Sequence, residues 1–251
     1  SGAVSGLVVG VLLYLGGGRF IKKKIIVFFV SAAIIGAVQR RLGPHREALH
    51  DKTGARDAVQ VWANTGPAVV LAMIALVLAQ LHAVADPMEP TAPPGSADPE
   101  LWVTWAHAAL LFGAHASLCA SSADTWASEL GVLSKQDPVH ILTLRPLVPG
   151  QSGGVSAFGF AMSGVGAAVA ALPVLGRVGS DSLLPDELFS AAVAVLLLVG
   201  IAVLSAVLDS VLGATAQALY RHPDGSLCES PEVHTELVRG YRWCSNDVVN
   251  A

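Results

Sequence analysis

From Leu188 to Leu208 the chain reads LFSAAVAVLLLVGIAVLSAVL, and the next residue is Asp209. These 21 residues contain no Asp, Glu, Lys, Arg or Pro. About 20 consecutive apolar residues are what a helix needs to cross the hydrocarbon of a bilayer. The other structure that can span is a closed β-barrel, whose strands alternate polar and apolar residues with period two. Val193–Val199 reads VAVLLLV, without any such alternation. The segment therefore predicts a transmembrane helix.

Working outward, three more blocks reach spanning length: Ala63–Ala85, Leu101–Ala120 and Gly153–Leu175. Gly2–Leu15 and Ile25–Val38 are shorter and span only as tilted helices that recruit flanking residues, with Lys22–Lys24 snorkelling to the interface. The composition agrees with this pattern. The 251 residues are 53% hydrophobic and 14% charged, and the mean hydropathy is +0.59. The expected fold is an all-α, polytopic helix bundle of about six spans. Residues 1–251 form a single integral membrane domain that reads as truncated at both ends, because it opens in apolar sequence without Met and stops where apolar residues resume.

The net charge of −4 comes without a basic block interleaved with aromatics, which argues against a nucleic-acid partner. Cys119, Cys228 and Cys244 are odd in number, scattered and without a C-x-x-C, so the spacing supports neither a disulfide framework nor a zinc site. Lys and Arg crowd the connection at Gln39–Ala58 and recur in Gly131–Gln151 and the tail, but are absent from the acidic, proline-rich Asp86–Glu100. The positive-inside rule places the first three on one side, although Arg19 and Lys22–Lys24 break the alternation.

Four polar clusters interrupt the apolar pattern: Gly54–Asn64, Ala123–Lys135, Pro149–Ser156 and Asp209–Gln217. With alternating spans, all four fall at one membrane face. Asp124 and Asp209 follow directly on apolar runs, where an ionised group costs at least about 2.5 kcal/mol unless it is paired or at the interface. Gly113, Ser117 and Ser121 lie four apart with Asp124 three further on, and Ser205, Asp209, Gly213 and Gln217 also lie four apart. Each series makes one small-residue helix face carrying a carboxylate. Pure helix packing explains the small residues but not the acids. Two such faces in apposition bring two carboxylates together, a donor set that suits Mg²⁺. Glu129, five residues beyond Asp124, points about 140° away on an ideal helix, unless the helix ends near Gly131.

Gly150, Gln151, Ser152, Gly153 and Gly154 form a glycine-rich stretch before a span, the setting in which backbone N–H groups and a helix N-terminus hold an anion. An ordinary turn is the plainer account, and no P-loop pattern is present. Lys135 and Arg145, in the same connection, serve either phosphate or topology. Arg56, Gln60 and Asn64 share one helix face, as either a supporting polar row or a solvated helix start. His107 and His115 lack matching ligands and read as packing residues.

In order along the chain, GARDAVQVWAN, SADTWASELGVLSK, TLRPLVPGQSGGVS and DSVLGATAQ resemble a family of integral membrane proteins that includes plant phytyl-phosphate kinase and animal transmembrane protein 19. The resemblance runs from Ser1 to about residue 250. It implies a membrane kinase that phosphorylates a phytyl-type isoprenoid monophosphate to the diphosphate for tocopherol synthesis, in the plastid envelope if the plant role holds. The implied partners are a prenyl or phytyl phosphate lipid and the bilayer, with a nucleoside triphosphate as co-substrate. On this reading Asp124 and Asp209 hold Mg²⁺, Glu129 completes or orients the metal shell, Lys135, Arg145 and Gly150–Gly154 serve the phosphates, and Arg56, Asn64 and Gln217 support them. The alternatives are an ion-coupled transporter, with acids at broken helices near the midplane, or a non-enzymatic lipid-binding membrane protein.

Overall fold

The computed structural model describes residues 27, 30–38, 41, 58–85, 99–177 and 185–249. The expected span Gly2–Leu15 lies outside them, and of Ile25–Val38 the stretch 30–38 is helical. The remaining expected spans form four helices: α1 (Ala58–Ala85), α2 (Pro99–Gly131), α3 (Ala157–Ala171), extended by a 3₁₀ turn at Leu172–Arg177, and α4 (Pro185–Thr215). All four are long and apolar enough to cross a membrane.

These helices bury small residues and expose large ones. Ala68, Ala72 and Ala75 of α1 are fully buried, the first two in a cluster with Ala114 and Leu118 of α2. A second cluster joins Cys119 and Ala123 of α2, Ala167, Ala170 and Ala171 of α3, and Leu198 and Ala202 of α4. By contrast Leu81, Trp102, Leu196 and Leu204 are each more than half exposed. A water-soluble bundle would do the reverse. In lipid the tails solvate leucine as well as a core does, so helices associate through small residues that let backbones approach. Gly166 shows the limit of that approach. A Cβ there would lie 2.6 Å from Trp126 Cγ and 2.8 Å from the Ser122 carbonyl oxygen. Ser122 Oγ closes the same α2–α3 seam by donating to the Gly166 carbonyl at 3.0 Å.

Helix α2 packs on α1, α3 and α4, and α3 packs on α4. At 33 and 31 residues, α2 and α4 are about 50 and 46 Å long, against about 30 Å of hydrocarbon. Their last turns therefore have room to project beyond the lipid tails. Those last turns hold Asp124 and Asp209, each inside its helix rather than after it.

The connections carry short strands that the hydropathy pattern does not foretell. β1 (Val139–His140) pairs antiparallel with β2 (Gly154–Val155), bringing the glycine-rich stretch back against the start of its own connection. In the tail, β3 (Leu219–Arg221) is the central strand of a three-stranded antiparallel sheet between β4 (Leu227–Cys228) and β5 (Glu236–Arg239). A short helix, α5 (Asn246–Val249), then packs against α1 and α4.

Candidate functional site

The end of α4 organises one face of the bundle. Along its small-residue face, Asp209, Gly213 and Gln217 meet three other parts of the chain. Asp209 feels the charges of Asp124, on α2, and of Glu229, in the tail. The two carboxylate-bearing faces read from the spacing thus confront one another, as apposition requires. The Oδ1 of Asp209 is buried and has no hydrogen-bond partner among the described residues.

Gly213 meets the glycine-rich loop. A Cβ on Gly213 would come 3.1 Å from Gly153 N. Gly153 itself has φ +84°, and a Cβ on it would sit 2.6 Å from both Cα and Cβ of Ala214. Glycine is therefore demanded here twice, by conformation and by contact. The loop closes on itself as well. Gln151 N–H donates to the Val148 carbonyl at 3.1 Å, and Gly154 N–H donates to the Gln151 carbonyl at 3.1 Å. Ser152 N–H donates to Glu229 Oε1 at 2.9 Å, and its hydroxyl donates to the same oxygen. At the start of α3, Ser156 caps the helix by accepting from Gly159 N–H at 3.0 Å.

Gln217, almost fully buried, extends from the end of α4 and donates through Nε2 to Glu229 Oε2 at 3.1 Å. Glu229 thus ties loop to helix end through both its oxygens. Arg239 completes the arrangement. Its Nη2 donates to the Gly213 carbonyl at 2.9 Å and the Ser152 carbonyl at 3.2 Å. Burial pulls the Arg239 guanidinium below its ordinary pKa, and the nearby Glu229 carboxylate opposes that shift. The tail is held against the helix end by backbone bonds from Ala218 N–H to the Cys244 carbonyl and from Tyr241 N–H to the Ala216 carbonyl, each 2.9 Å.

The other expected residues fall in different places. α2 does end at Gly131 and runs unbroken through Asp124 and Glu129, so the two acids point about 140° apart. Asn64, on α1, reaches the same face: its carbonyl accepts from Ser121 Oγ on α2, and its own amide donates to the Gln60 carbonyl at 2.8 Å. Lys135 and Arg145 are exposed in the connection between α2 and α3. Arg56 lies outside the described residues. His115 Nδ1 bonds the carbonyl of Leu111 one turn back, in keeping with a packing residue.

Glu229 and Arg239 are the site residues that sequence reasoning missed. They come from a polar tail without hydrophobic period, and nothing local marks CESPE or LVRG as facing a helix end. One signal was available: Gly240, at φ +75°, follows Arg239, and a Cβ there would lie 2.1 Å from the Gln217 carbonyl oxygen. Asp209 and Asp124 offer hard carboxylate oxygens, one of them the buried Asp209 Oδ1 without a hydrogen-bond partner among the described residues. That chemistry suits a divalent cation such as Mg²⁺. Both Glu229 oxygens, by contrast, are already taken by Ser152 and Gln217.

The sequence pattern described as "Integral membrane protein DUF92" matches residues 1–251. Protein PGR of Arabidopsis thaliana is 30% identical over 229 residues, covering 86% of this chain and 71% of that protein. No solved structure matches.

Proposed function

The chain belongs to the DUF92 family of integral membrane proteins, and from that premise we propose that it is a membrane phosphotransferase that converts an isoprenoid monophosphate of phytyl type to the diphosphate, with a nucleoside triphosphate as donor. The observation that carries this reading is the convergence of Asp124, Asp209 and Glu229 beside the loop at Ser152–Gly153 and the cation Arg239, at the end of lipid-exposed spans. An isoprenoid tail belongs among the outward-facing leucines of α4, and its phosphate belongs at this polar end.

In this reading Asp124 and Asp209 hold Mg²⁺, which would supply charge neutralisation for the phosphates. Glu129, on another face of α2, orients the helix end. Gln217 holds Glu229, and Arg239 holds the Ser152 and Gly213 carbonyls, so both fix the surroundings of Asp209. The loop Gly150–Gly154 serves as a wall that fixes Ser152 and Glu229, because its N–H groups at 151, 152 and 154 already have partners. Lys135 and Arg145, exposed on the adjoining connection, meet the outer phosphates of the nucleotide. Asn64 supports the α1 side, together with Arg56, two residues before α1 in sequence. Phosphoryl transfer depends chiefly on positioning and charge neutralisation. The attacking phosphate oxygen is already ionised, so the residues need not include a strong base.

The rival reading of an ion-coupled transporter expects helices broken near the midplane. α2 and α4 instead run continuously through Asp124 and Asp209. The test is purified protein with labelled CTP, ATP, GTP and UTP against phytyl and geranylgeranyl phosphates. Asp209→Asn keeps the size and removes the charge. Turnover should fall by about 100-fold or more, with helix content unchanged. Diphosphate formation by the variant at the wild-type rate and Mg²⁺ dependence would remove Asp209 from the site, and no diphosphate from any pairing would refute the kinase reading.

A further inference from the structure

The tail hairpin brings together three side chains that the functional site does not use. His222 follows β3, Cys228 closes β4, and Glu232 lies four residues beyond it. One ligand atom from each lies within 4.8 Å of the others. His222 Nε2 and Glu232 Oε2 are 3.8 Å apart. Adjacent ligands of a tetrahedral Zn²⁺, at bond lengths of about 2.0–2.3 Å, stand about 3.3–3.8 Å from one another. An imidazole nitrogen and a carboxylate oxygen on one tetrahedral Zn²⁺ stand about 3.3–3.6 Å apart, so this pair needs to close by a few tenths of an ångström and the thiol by about 1 Å.

Three features of the hairpin favour this arrangement. Its turn is rigid: Asp224 Oδ1 accepts from Ser226 N–H at 2.9 Å and from Ser226 Oγ at 2.7 Å, while His222 N–H donates to the Ser226 carbonyl at 2.9 Å. The thiol is poised: Cys228 is buried, and its Sγ–H donates to the Ser230 carbonyl at 3.3 Å. One ligand faces open space: Glu232 is exposed and lines a pocket of about 440 Å³ with Tyr220 and Arg242, a pocket that His222 and Cys228 do not line.

We propose that His222, Cys228 and Glu232 form a zinc site that clips the tail hairpin. A thiolate and an imidazole select a borderline-soft transition metal over Mg²⁺ or Ca²⁺. With three protein ligands, water fills the fourth position. Binding replaces the thiol proton with the metal. Glu229 sits directly after Cys228, so the clip would fix the segment that delivers Glu229 to Ser152 and Gln217. The proposal is independent of the phosphotransferase reading, since it concerns only the tail.

The experiment uses the full chain in detergent, stripped of metal by a chelator and titrated with Zn²⁺ by calorimetry and with Co²⁺ by absorption. The expected result is one equivalent of metal and a thiolate-to-cobalt charge-transfer band. Cys228→Ser should abolish the band and weaken binding by about ten-fold or more. His222→Ala should do likewise, while Cys119→Ser and Cys244→Ser should leave both readings intact. Glu232→Gln, at an exposed position that cannot unfold the core, should weaken binding and keep the band. Wild-type protein that gives no thiolate band overturns the proposal, as does unchanged affinity in both His222→Ala and Glu232→Gln.

Discussion

At the scale of single residues, Gly153 and Asp209 show two different demands. Asp209 is chemically expensive, with a buried oxygen that lacks a hydrogen-bond partner among the described residues and with two further carboxylates close by. Nothing in helix packing needs an acid there, which is why the position points to a ligand. Gly153 is sterically required instead. Its φ of +84° and the 2.6 Å approach of Ala214 leave no space for a methyl group. Gly153→Ala should therefore destabilise the protein by about 1–3 kcal/mol through overpacking and backbone strain, and should push the loop away from α4. Thermal denaturation in detergent, together with hydrogen exchange at Ser152, checks this. A variant as stable and as protected as wild type would mean that the loop does not press on α4.

At the scale of elements, the tail sheet acts as a clamp. β5 ends in Arg239, which bonds both the loop and α4 through one nitrogen, and the segment after β4 supplies Glu229, which bonds the loop and Gln217. Glu229→Ala removes the acceptor for three donors, two of them on Ser152. It should loosen the loop and raise the exchange rate at Ser152 and Gly153 by about ten-fold or more, because each buried donor left unsatisfied costs about 1–3 kcal/mol. Glu229→Gln retains one carbonyl acceptor and should restore part of the protection. Equal exchange in wild type and Glu229→Ala would show that the loop is held by its own turn bonds alone.

At the scale of the whole molecule, α1 begins, α2 ends, α3 begins and α4 ends at the same face, as the bonds from Ser121 to Asn64 and from Arg239 to Gly213 and Ser152 require. That face also carries the tail. The positive-inside reading expects Asp86–Glu100 on the other side of the membrane. Single cysteines introduced at Ser96 and at Asp224, in a chain with its three native cysteines replaced, should label from opposite sides with an impermeant maleimide. Labelling of both from one side would dismantle the shared face.

Much of this was determined by sequence alone, for a plain physical reason. A bilayer imposes a length of apolar residues on each span, so the run from Leu188 to Leu208 declares its helix without any partner. The same rule located α1 and α3 to within a turn or two and the start of α2, whose end at Gly131 lies 11 residues, about three turns, beyond the expected Ala120. The four-residue spacing placed Asp209, and the three-residue step from Ser121 placed Asp124, on small-residue helix faces. The interior was less legible: of the small-residue series read from the spacing only Gly213 and Gln217 are buried, and the core falls on neighbouring positions such as Ala114, Leu118, Ala123 and Ala202. Only the tertiary structure decided what the polar segments do. The short strands, the closed glycine loop, the reach of Glu229 and Arg239 to α4, and the meeting of His222, Cys228 and Glu232 all depend on tail residues folding back onto a helix end. That return is fixed by hydrogen bonds between residues as far apart in the chain as Ser152 and Arg239. No local period records such bonds, so cysteines that look scattered in the sequence could still include one that shares a cluster with a histidine and a glutamate.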